Sequence, residues 1–248
     1  MAIDIIWVDA TDSTNKEALR RSEELTDFTI LAAEFQSEGR GQKGTSWESS
    51  KGTNLTFSLV LKPTMIKAEN QFVISQIAAV GVHQYLKNKG VDSKIKWPND
   101  IYVGNKKIAG ILIENFIEGD SLSESIVGIG LNLNQELFES NAPNPISLKK
   151  LTGEHYDLKE EMEKLAFYLY DIYIPFKNFN WGSISEKISS IYHRNLYRFE
   201  ELHKFQETPS GEIFEGRIMG TDKNACIQIE KPNGTIVSYA FKEIKYII

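Results

Sequence analysis

The sequence predicts an α+β fold, and three features of the chain carry that reading. Short β-rich apolar runs are interspersed with longer segments of helical period over residues 1–196. Two of those runs are joined by Gly104-Asn105, a hairpin signal. After Tyr197 the chain changes to short β-rich runs broken by turns at residues 221–224 and 232–234. The expected organisation is a larger domain, residues 1–196, followed by a small SH3-like β-barrel, residues 197–248.

Residues 3–8 read as a short buried strand. The polar segment after it ends in Ser13-Thr14-Asn15, and Thr14 with Glu17 has the T-x-x-E spacing of a capping box. A helix is therefore expected over residues 15–25, with Ala18, Leu19 and Leu25 packing. The hydroxyls and amide of the triplet can cap that helix or face a ligand. Residues 28–35 form an apolar β-rich run, and residues 54–61 alternate polar and apolar as a half-buried strand does, with Pro63 ending them. Residues 71–89 carry Phe72, Val73, Ile77, Val80 and Leu86 near helical spacing, and Gly90 supplies a stop; His83 reads as a packing or surface residue. Residues 94–103 and 106–114 read as the two arms of the hairpin. Pro98 has no N–H to donate, so a kink is expected at Trp97-Pro98-Asn99, beside Asp100. Residues 118–125 read as a polar connection and 141–145 as a loop. Residues 126–134 read as a strand whose glycines admit close approach by a ligand or another backbone. Helices are expected over residues 157–174, stopped by Pro175 and packing through Phe167, Tyr168, Tyr170 and Tyr173, and over residues 183–196.

Composition narrows the function classes. With 248 residues, 41% hydrophobic and 25% charged, the chain has ample material for a core. A net charge of −6 argues against sequence-independent nucleic-acid binding, which needs a basic face. One cysteine, Cys226, excludes an internal disulfide framework and a cysteine-clustered zinc site, and a cytoplasmic location is expected. The four histidines, His83, His155, His193 and His203, are scattered without a metal-binding spacing. Neither a signal peptide nor a membrane-spanning stretch is read.

The densest chemistry lies in residues 34–47. Gly39, Gly41 and Gly44 with Arg40 and Lys43 fall within six residues, directly after an apolar run. Glycine permits tight turns and close backbone approach, and the two cations suit phosphate or carboxylate oxygens. The formal G-x-G-x-x-G match is coincidental, because residues 45–52 are polar and turn-rich where a dinucleotide fold needs a helix. A P-loop fails as well: Thr45 stands where the lysine should follow the last glycine. An anion-binding loop and an ordinary surface loop both remain open at this point.

Five blocks in order, Ser13-Thr14-Asn15, residues 34–47, Lys96-Trp97-Pro98-Asn99-Asp100, residues 107–112 and residues 128–132, resemble the biotin–protein ligases. The family pattern runs S-T-N, G-R-G-R-x-G-R-x-W, K-W-P-N-D, K-x-A-G-I-L-x-E and G-x-G-x-N, and the match spans about residues 12–135; the C-terminal part agrees only in outline. The resemblance implies a mixed β-sheet flanked by helices, of the class II synthetase-like type, with 1–196 the biotin- and ATP-binding catalytic domain. It implies ATP-dependent activation of biotin to biotinyl-5′-AMP, then transfer to a lysine of a biotin carrier domain of a carboxylase, with Mg²⁺ accompanying ATP. By the same resemblance, biotin meets Ser13, Thr14, Asn15, Gln36, Gly39, Arg40, Gly41, Gln42, Lys107, Gly110 and Gly128. ATP and the adenylate meet Arg40, Gln42, Lys43, Trp47, Lys96, Asn99, Lys107 and Asn132. Arg40, Lys107 and Asp100 are the catalytic candidates. Asp100 is also the one candidate for holding Mg²⁺, and no direct protein ligand set for the metal is assigned.

Bland readings stand beside these. Trp97 reads as buried structure, Lys96 and Lys43 as solvated cations, and Lys106 as facing away from Lys107. Asn134 shares a face with Asn132 and competes for its role. The chain departs from the family loop at Gln42, and again at Thr45 or Ser46, where arginine is usual; a neutral Gln42 is expected to hold the adenylate less tightly unless Lys43 supplies the charge. Only 12 residues precede Ser13, so the form without an N-terminal DNA-binding domain is expected, and no nucleic-acid or membrane partner. Oligomeric state is left open, a homodimer through a sheet edge included. The rival functions are a lipoate– or octanoate–protein ligase or transferase of the same fold, and a biotin-binding protein without turnover.

Overall fold

The computed structural model describes residues 3–42, 44–139, 144–178 and 181–248. Its strands are β1 (Ile5–Val8), β2 (Thr29–Ala33), β3 (Leu55–Leu61), β4 (Ser93–Lys96), β5 (Asp100–Val103), β6 (Lys106–Glu118) and β7 (Ser121–Leu131), then β8 (Leu202–Glu207), β9 (Ile213–Thr221), β10 (Ile227–Glu230), β11 (Ile236–Tyr239) and β12 (Ile244–Tyr246). The helices are α1 (Thr14–Arg20), α2 (Phe72–Asn88), α3 (Leu148–Thr152), α4 (Leu158–Asn178) and α5 (Trp181–Arg194). Among the described residues the first seven strands form one sheet, ordered β1-β2-β3-β7-β6-β5-β4, and the last five a second, ordered β11-β10-β9-β8-β12. The first sheet is mixed: β1 runs parallel to β2 and every other pairing is antiparallel.

Strand β3 shows how the layers form. Leu55, Phe57, Leu59 and Leu61 join the main core with Ile74, Ile77 and Ala78 of α2 and Leu165 and Leu169 of α4. On the opposite face Val60 packs with Ala18, Leu25, Leu31 and Ile126. The alternation in residues 54–61 therefore marks two covered faces rather than one wet face, and Thr56 and Ser58 are buried. Each fully buried Leu or Phe stabilises the fold by about 1.5–3 kcal/mol, so both faces are firmly covered. The polar side of β3 is the side that α1 and the site below occupy.

Several expectations are corrected. Helix α1 begins at Thr14 and ends at Arg20, short of Leu25, and Leu19 is exposed. Its N-cap is Ser13 without a side-chain cap bond; Thr14 N–H is instead satisfied by Gln36 Oε1 at 2.7 Å, so a residue from beyond β2 replaces the capping box. The expected kink at Trp97-Pro98-Asn99 is a full reversal joining antiparallel β4 and β5, with Lys96 opposite Asp100. Proline fits there because a turn residue owes no ladder hydrogen bond. The supposed polar connection 118–125 is mostly strand: only Gly119 and Asp120 separate β6 from β7, and Leu122 and Glu124 are buried. Pro175 does not stop α4, because the following Phe176 is buried in the core and holds the last turn. Phe167 is exposed outside the core and meets the edge of the neighbouring Tyr168 ring, at 5.9 Å between centroids. The five-residue α3 gave no periodic signal; it is capped by Ser147, whose Oγ accepts from Lys150 N–H, and closed by Gly153 at φ 80°. The loop expected at 141–145 lies outside the described residues at 141–143.

The second sheet carries its own buried residues, Phe205, Ile218, Ile227, Ile229 and Ile244, continuous with the main core. The segment that leads from α5 toward β8 pairs with β4 of the first sheet: Ile95 N–H donates to Asn195 O and Tyr197 N–H to Ile95 O, both at 2.8 Å. Among the described residues no helix is long and apolar enough to cross a membrane.

Candidate functional site

A cavity of about 850 Å³ opens on the α1 side of the first sheet and is closed on one flank by the second. Its walls come from the Ser13-Thr14-Asn15 turn, Gln36, the glycine-rich loop, the β4–β5 turn, Lys107 and Gly110 to Leu112 on β6, Gly128 to Gly130 on β7 and Asn132 just after it. Phe241, Lys242, Lys245 and Tyr246 reach it from the second sheet.

The polar end of the cavity is held by a hydrogen-bond chain. Ser13, Thr14 and Asn15 are 2–3% exposed. Ser58 Oγ lies 2.8 Å from Thr14 Oγ1 and 2.6 Å from Asn15 Oδ1. Asn15 Nδ2 donates to Glu114 Oε2 at 2.8 Å and to Leu112 O at 3.3 Å. Residue 128 must be glycine because any Cβ there would overlap the Asn15 amide.

The glycine-rich loop is a folded hairpin. Trp47 N–H donates to Gly39 O at 2.9 Å, Gly41 N–H to Thr45 O at 3.0 Å and Thr45 N–H to Gln42 O at 2.8 Å. A Cβ at residue 39 would overlap Trp47 O, and one at residue 41 the Thr45 hydroxyl. These two glycines let the loop close on itself; Gly41 lines the cavity and Gly39 does not. The closure lays the Trp47 indole over Gly110 and Gly130: a Cβ at 130 would overlap the ring, and one at 110 would press against it. Trp47 Nε1 is buried without a partner, and so is Asn132 Oδ1, although Asn132 Nδ2 donates to Ile146 O at 3.1 Å. An orphaned donor and an orphaned acceptor on one cavity wall call for a ligand carrying both functions.

The charges are arranged as pairs. Lys107 Nζ sits 2.6 Å from Asp100 Oδ1, both side chains about one-fifth exposed (22% and 18%), and 5.6 Å from the Trp47 ring centroid. Arg40 Nη1 lies 3.2 Å from Glu114 Oε1. Lys96 is caged between the rings of Tyr102 and Tyr246, at 5.0 and 4.8 Å. Burial pushes its ammonium below the usual lysine range, partly opposed by the Asp100 charge and reinforced by Lys107.

Of the expected residues, Ser13, Thr14, Asn15, Gln36, Arg40, Gly41, Gln42, Trp47, Lys96, Asn99, Asp100, Lys107, Gly110, Gly128 and Asn132 all line this one cavity. Lys43 lies outside the described residues. The Asn99 amide is engaged with Ile111 O at 2.7 Å, and Ile111 N–H returns to Asn99 O at 2.9 Å, which anchors the turn carrying Asp100. Asn134 is spent on both backbone groups of Tyr156, at 2.8 and 2.9 Å, and does not compete with Asn132. Trp97 is buried, and its Nε1 donates to Ala225 O at 2.9 Å, tying the turn to the second sheet. Lys106 is exposed, as its place in the strand implies. Sequence reasoning missed Glu114, Ser58, Lys242, Lys245 and Tyr246. Glu114 stood within the K-x-A-G-I-L-x-E block and was readable there; the C-terminal residues carry no local signal. Among the described residues no three His, Cys, Asp or Glu side chains gather as a metal site.

The sequence model described as "Biotin/lipoate A/B protein ligase family" matches residues 7–132, half of the chain. A Paracoccus denitrificans protein named biotin–[acetyl-CoA-carboxylase] ligase is 34% identical over 166 residues, covering 63% of this chain and 67% of that protein. A Bacillus spizizenii protein named bifunctional ligase/repressor BirA is 34% identical over 160 residues, covering 62% of this chain and 48% of that one. The chain thus spans about half the length of the Bacillus relatives it matches. A biotin protein ligase from Aquifex aeolicus, solved with biotin and ATP, superposes with a TM-score of 0.78 at 26% identity, covering 98% of this chain and 99% of that one. The block order, the mixed sheet and the cavity they form agree with that match: the chain belongs to the biotin/lipoate A/B protein ligase family.

Proposed function

We propose that the chain is a biotin–protein ligase, which joins biotin to ATP as biotinyl-5′-AMP and then passes the biotinyl group to a lysine of a biotin carrier domain. The observation that carries the reading is a cavity with a neutral hydrogen-bonding end at buried Thr14 and Asn15 and half-buried Gln36 and a charged end at Arg40, Lys107 and Asp100. A ureido ring needs the first and a carboxylate meeting an α-phosphate needs the second. The names of the Paracoccus and Aquifex proteins support it. The division into a catalytic unit, 1–196, and a small β unit, 197–248, belongs to the same proposal.

In the first step a biotin carboxylate oxygen attacks the α-phosphorus, the bond to the β-phosphate oxygen breaks, and pyrophosphate leaves. Lys107, oriented by Asp100, and Arg40 hold the two anionic reactants together and offset the charge that builds between them. Trp47 covers the product, its Nε1 and Asn132 Oδ1 supplying the unpaired donor and acceptor. In the second step the carrier lysine's neutral amine attacks the acyl carbon and AMP leaves; in this reading Asp100 takes the ammonium proton. Mg²⁺ would neutralise charge on the β- and γ-phosphates. Asp100 fits one such contact, and the rest would be phosphate oxygens and water, since Mg²⁺ is usually held by one or two carboxylates plus substrate oxygens.

The test is incubation with labelled biotin, ATP–Mg²⁺ and a carrier domain. Label on the carrier lysine is expected. Transfer of lipoate instead of biotin would establish the rival ligase, and binding of biotin without transfer would establish a sensor.

A further inference from the structure

The hydrogen-bond chain at the polar end has a direction, and one carboxylate outside the cavity wall sets it. Glu114 follows Leu112 by two residues on β6 and so shares its face; it does not line the cavity. An ionised carboxylate only accepts, so Asn15 must turn Nδ2 toward Glu114 and Oδ1 toward Ser58 and residue 128. Ser58 Oγ is the donor in both contacts, to Asn15 Oδ1 at 2.6 Å and to Thr14 Oγ1 at 2.8 Å, so both oxygens are held as acceptors and the Thr14 hydroxyl proton is left for the cavity. Gln36 Oε1 is taken by Thr14 N–H, which leaves its Nε2 as the end that donates. The cavity therefore presents an acceptor at Asn15, a hydroxyl at Thr14 able to donate as well as accept, and a donor at Gln36, a set that meets the N–H groups and the carbonyl of a urea. The other Glu114 oxygen accepts from Arg40 at 3.2 Å and seats the loop cation beside the same wall.

We propose that Glu114 is a positioning residue: through Asn15 it fixes the donor–acceptor polarity that selects the ureido ring, and through Arg40 it joins that end to the glycine-rich loop. The proposal rests on the biotin reading above. Were residue 114 an amide, it could donate to Asn15 and let that side chain flip, reversing the pattern the ring meets.

The experiment is biotin titration by calorimetry without ATP, on wild type, Glu114→Gln and Glu114→Asp, with melting curves and KM values for biotin and ATP. Expected for Glu114→Gln is about a 10-fold or greater loss of biotin affinity and a matching rise in biotin KM, the cost of mispaired buried polar groups. ATP KM should rise less, and the melting temperature should stay near wild type. Glu114→Asp, still an acceptor, should recover most of the affinity. Biotin affinity of Glu114→Gln equal to wild type, or equal losses for Gln and Asp, would overturn the proposal. If Glu114→Gln does not fold, the Glu114→Asp and Glu114→Asn pair carries the same comparison. Wild type that fails to bind biotin at all would overturn the ligase reading itself, a result distinct from any difference among the variants.

Discussion

Lys107→Ala tests the charged end most directly. The ammonium is 2.6 Å from Asp100, with side chains 22% and 18% exposed, which places the pair between two regimes. Exposed pairs contribute about 0–1 kcal/mol, whereas removing one partner of a fully buried pair costs about 3–5 kcal/mol. A loss of about 2 kcal/mol is expected from stranding Asp100, with roughly 0.5–1 kcal/mol more from the contact with the Trp47 ring. For a chain of this size that lowers the melting temperature by about 5–10 °C. Losing a charge-assisted hydrogen bond of about 1.5–3 kcal/mol should also cut kcat/KM for adenylate formation by roughly 10- to 150-fold. The assay is thermal melting and pyrophosphate release on Lys107→Ala, Asp100→Ala and the double variant. The stability losses should be non-additive by about 1–2 kcal/mol, because the second substitution removes a group the first has already stranded. Additivity within about 0.5 kcal/mol would refute the pairing, and unchanged pyrophosphate release in Lys107→Ala would refute its place at the phosphate.

Three further outcomes follow from the same geometry. Arg40→Ala should impair pyrophosphate release far more than Gln42→Ala, since of these two loop residues only Arg40 carries a charge; small, equal effects would contradict the assignment. Gly128→Ala places a methyl group into the Asn15 amide and should weaken biotin binding about 10-fold or more while the melting temperature falls by only a few degrees, read by calorimetry beside melting curves. Lys96→Met bears on pH: burial lowers the folded-state pKa of Lys96 below the unfolded value of about 10.4, so in the interval between the two the unfolded chain binds more protons and wild-type stability rises with pH. Denaturant melts from pH 7 to 10 should show wild type gaining stability relative to Lys96→Met, and a constant or falling difference would contradict a desolvated ammonium.

Much of the site was readable along the chain because its residues fall in short blocks at element ends. Ser13-Thr14-Asn15, Arg40 to Trp47 and Lys96 to Asp100 each sit at a turn, where polar residues stand out against the apolar runs that precede them. Periodicity placed α2 and the Gly104-Asn105 hairpin for the same local reason: spacing and turn chemistry are properties of neighbours in sequence. What failed depended on distant partners. The alternation of residues 54–61 cannot say whether a polar face meets water or α1, and it meets α1. The capping box yielded to Gln36, 22 residues away, and Pro175 yielded to the burial of Phe176.

By itself the sequence determined the α+β succession, the glycine-rich loop and the chemical types gathered in five blocks. Tertiary structure alone decided their pairing: Lys107 on Asp100, Arg40 and Asn15 on Glu114, and Lys96 between Tyr102 and Tyr246 from the far end of the chain. The physical reason is that charge, hydrogen-bond polarity and burial act through distances in space. Only the packing of β6 between β5 and β7, with α1 laid across the sheet, brings residues 15, 40, 58 and 114 within bonding range.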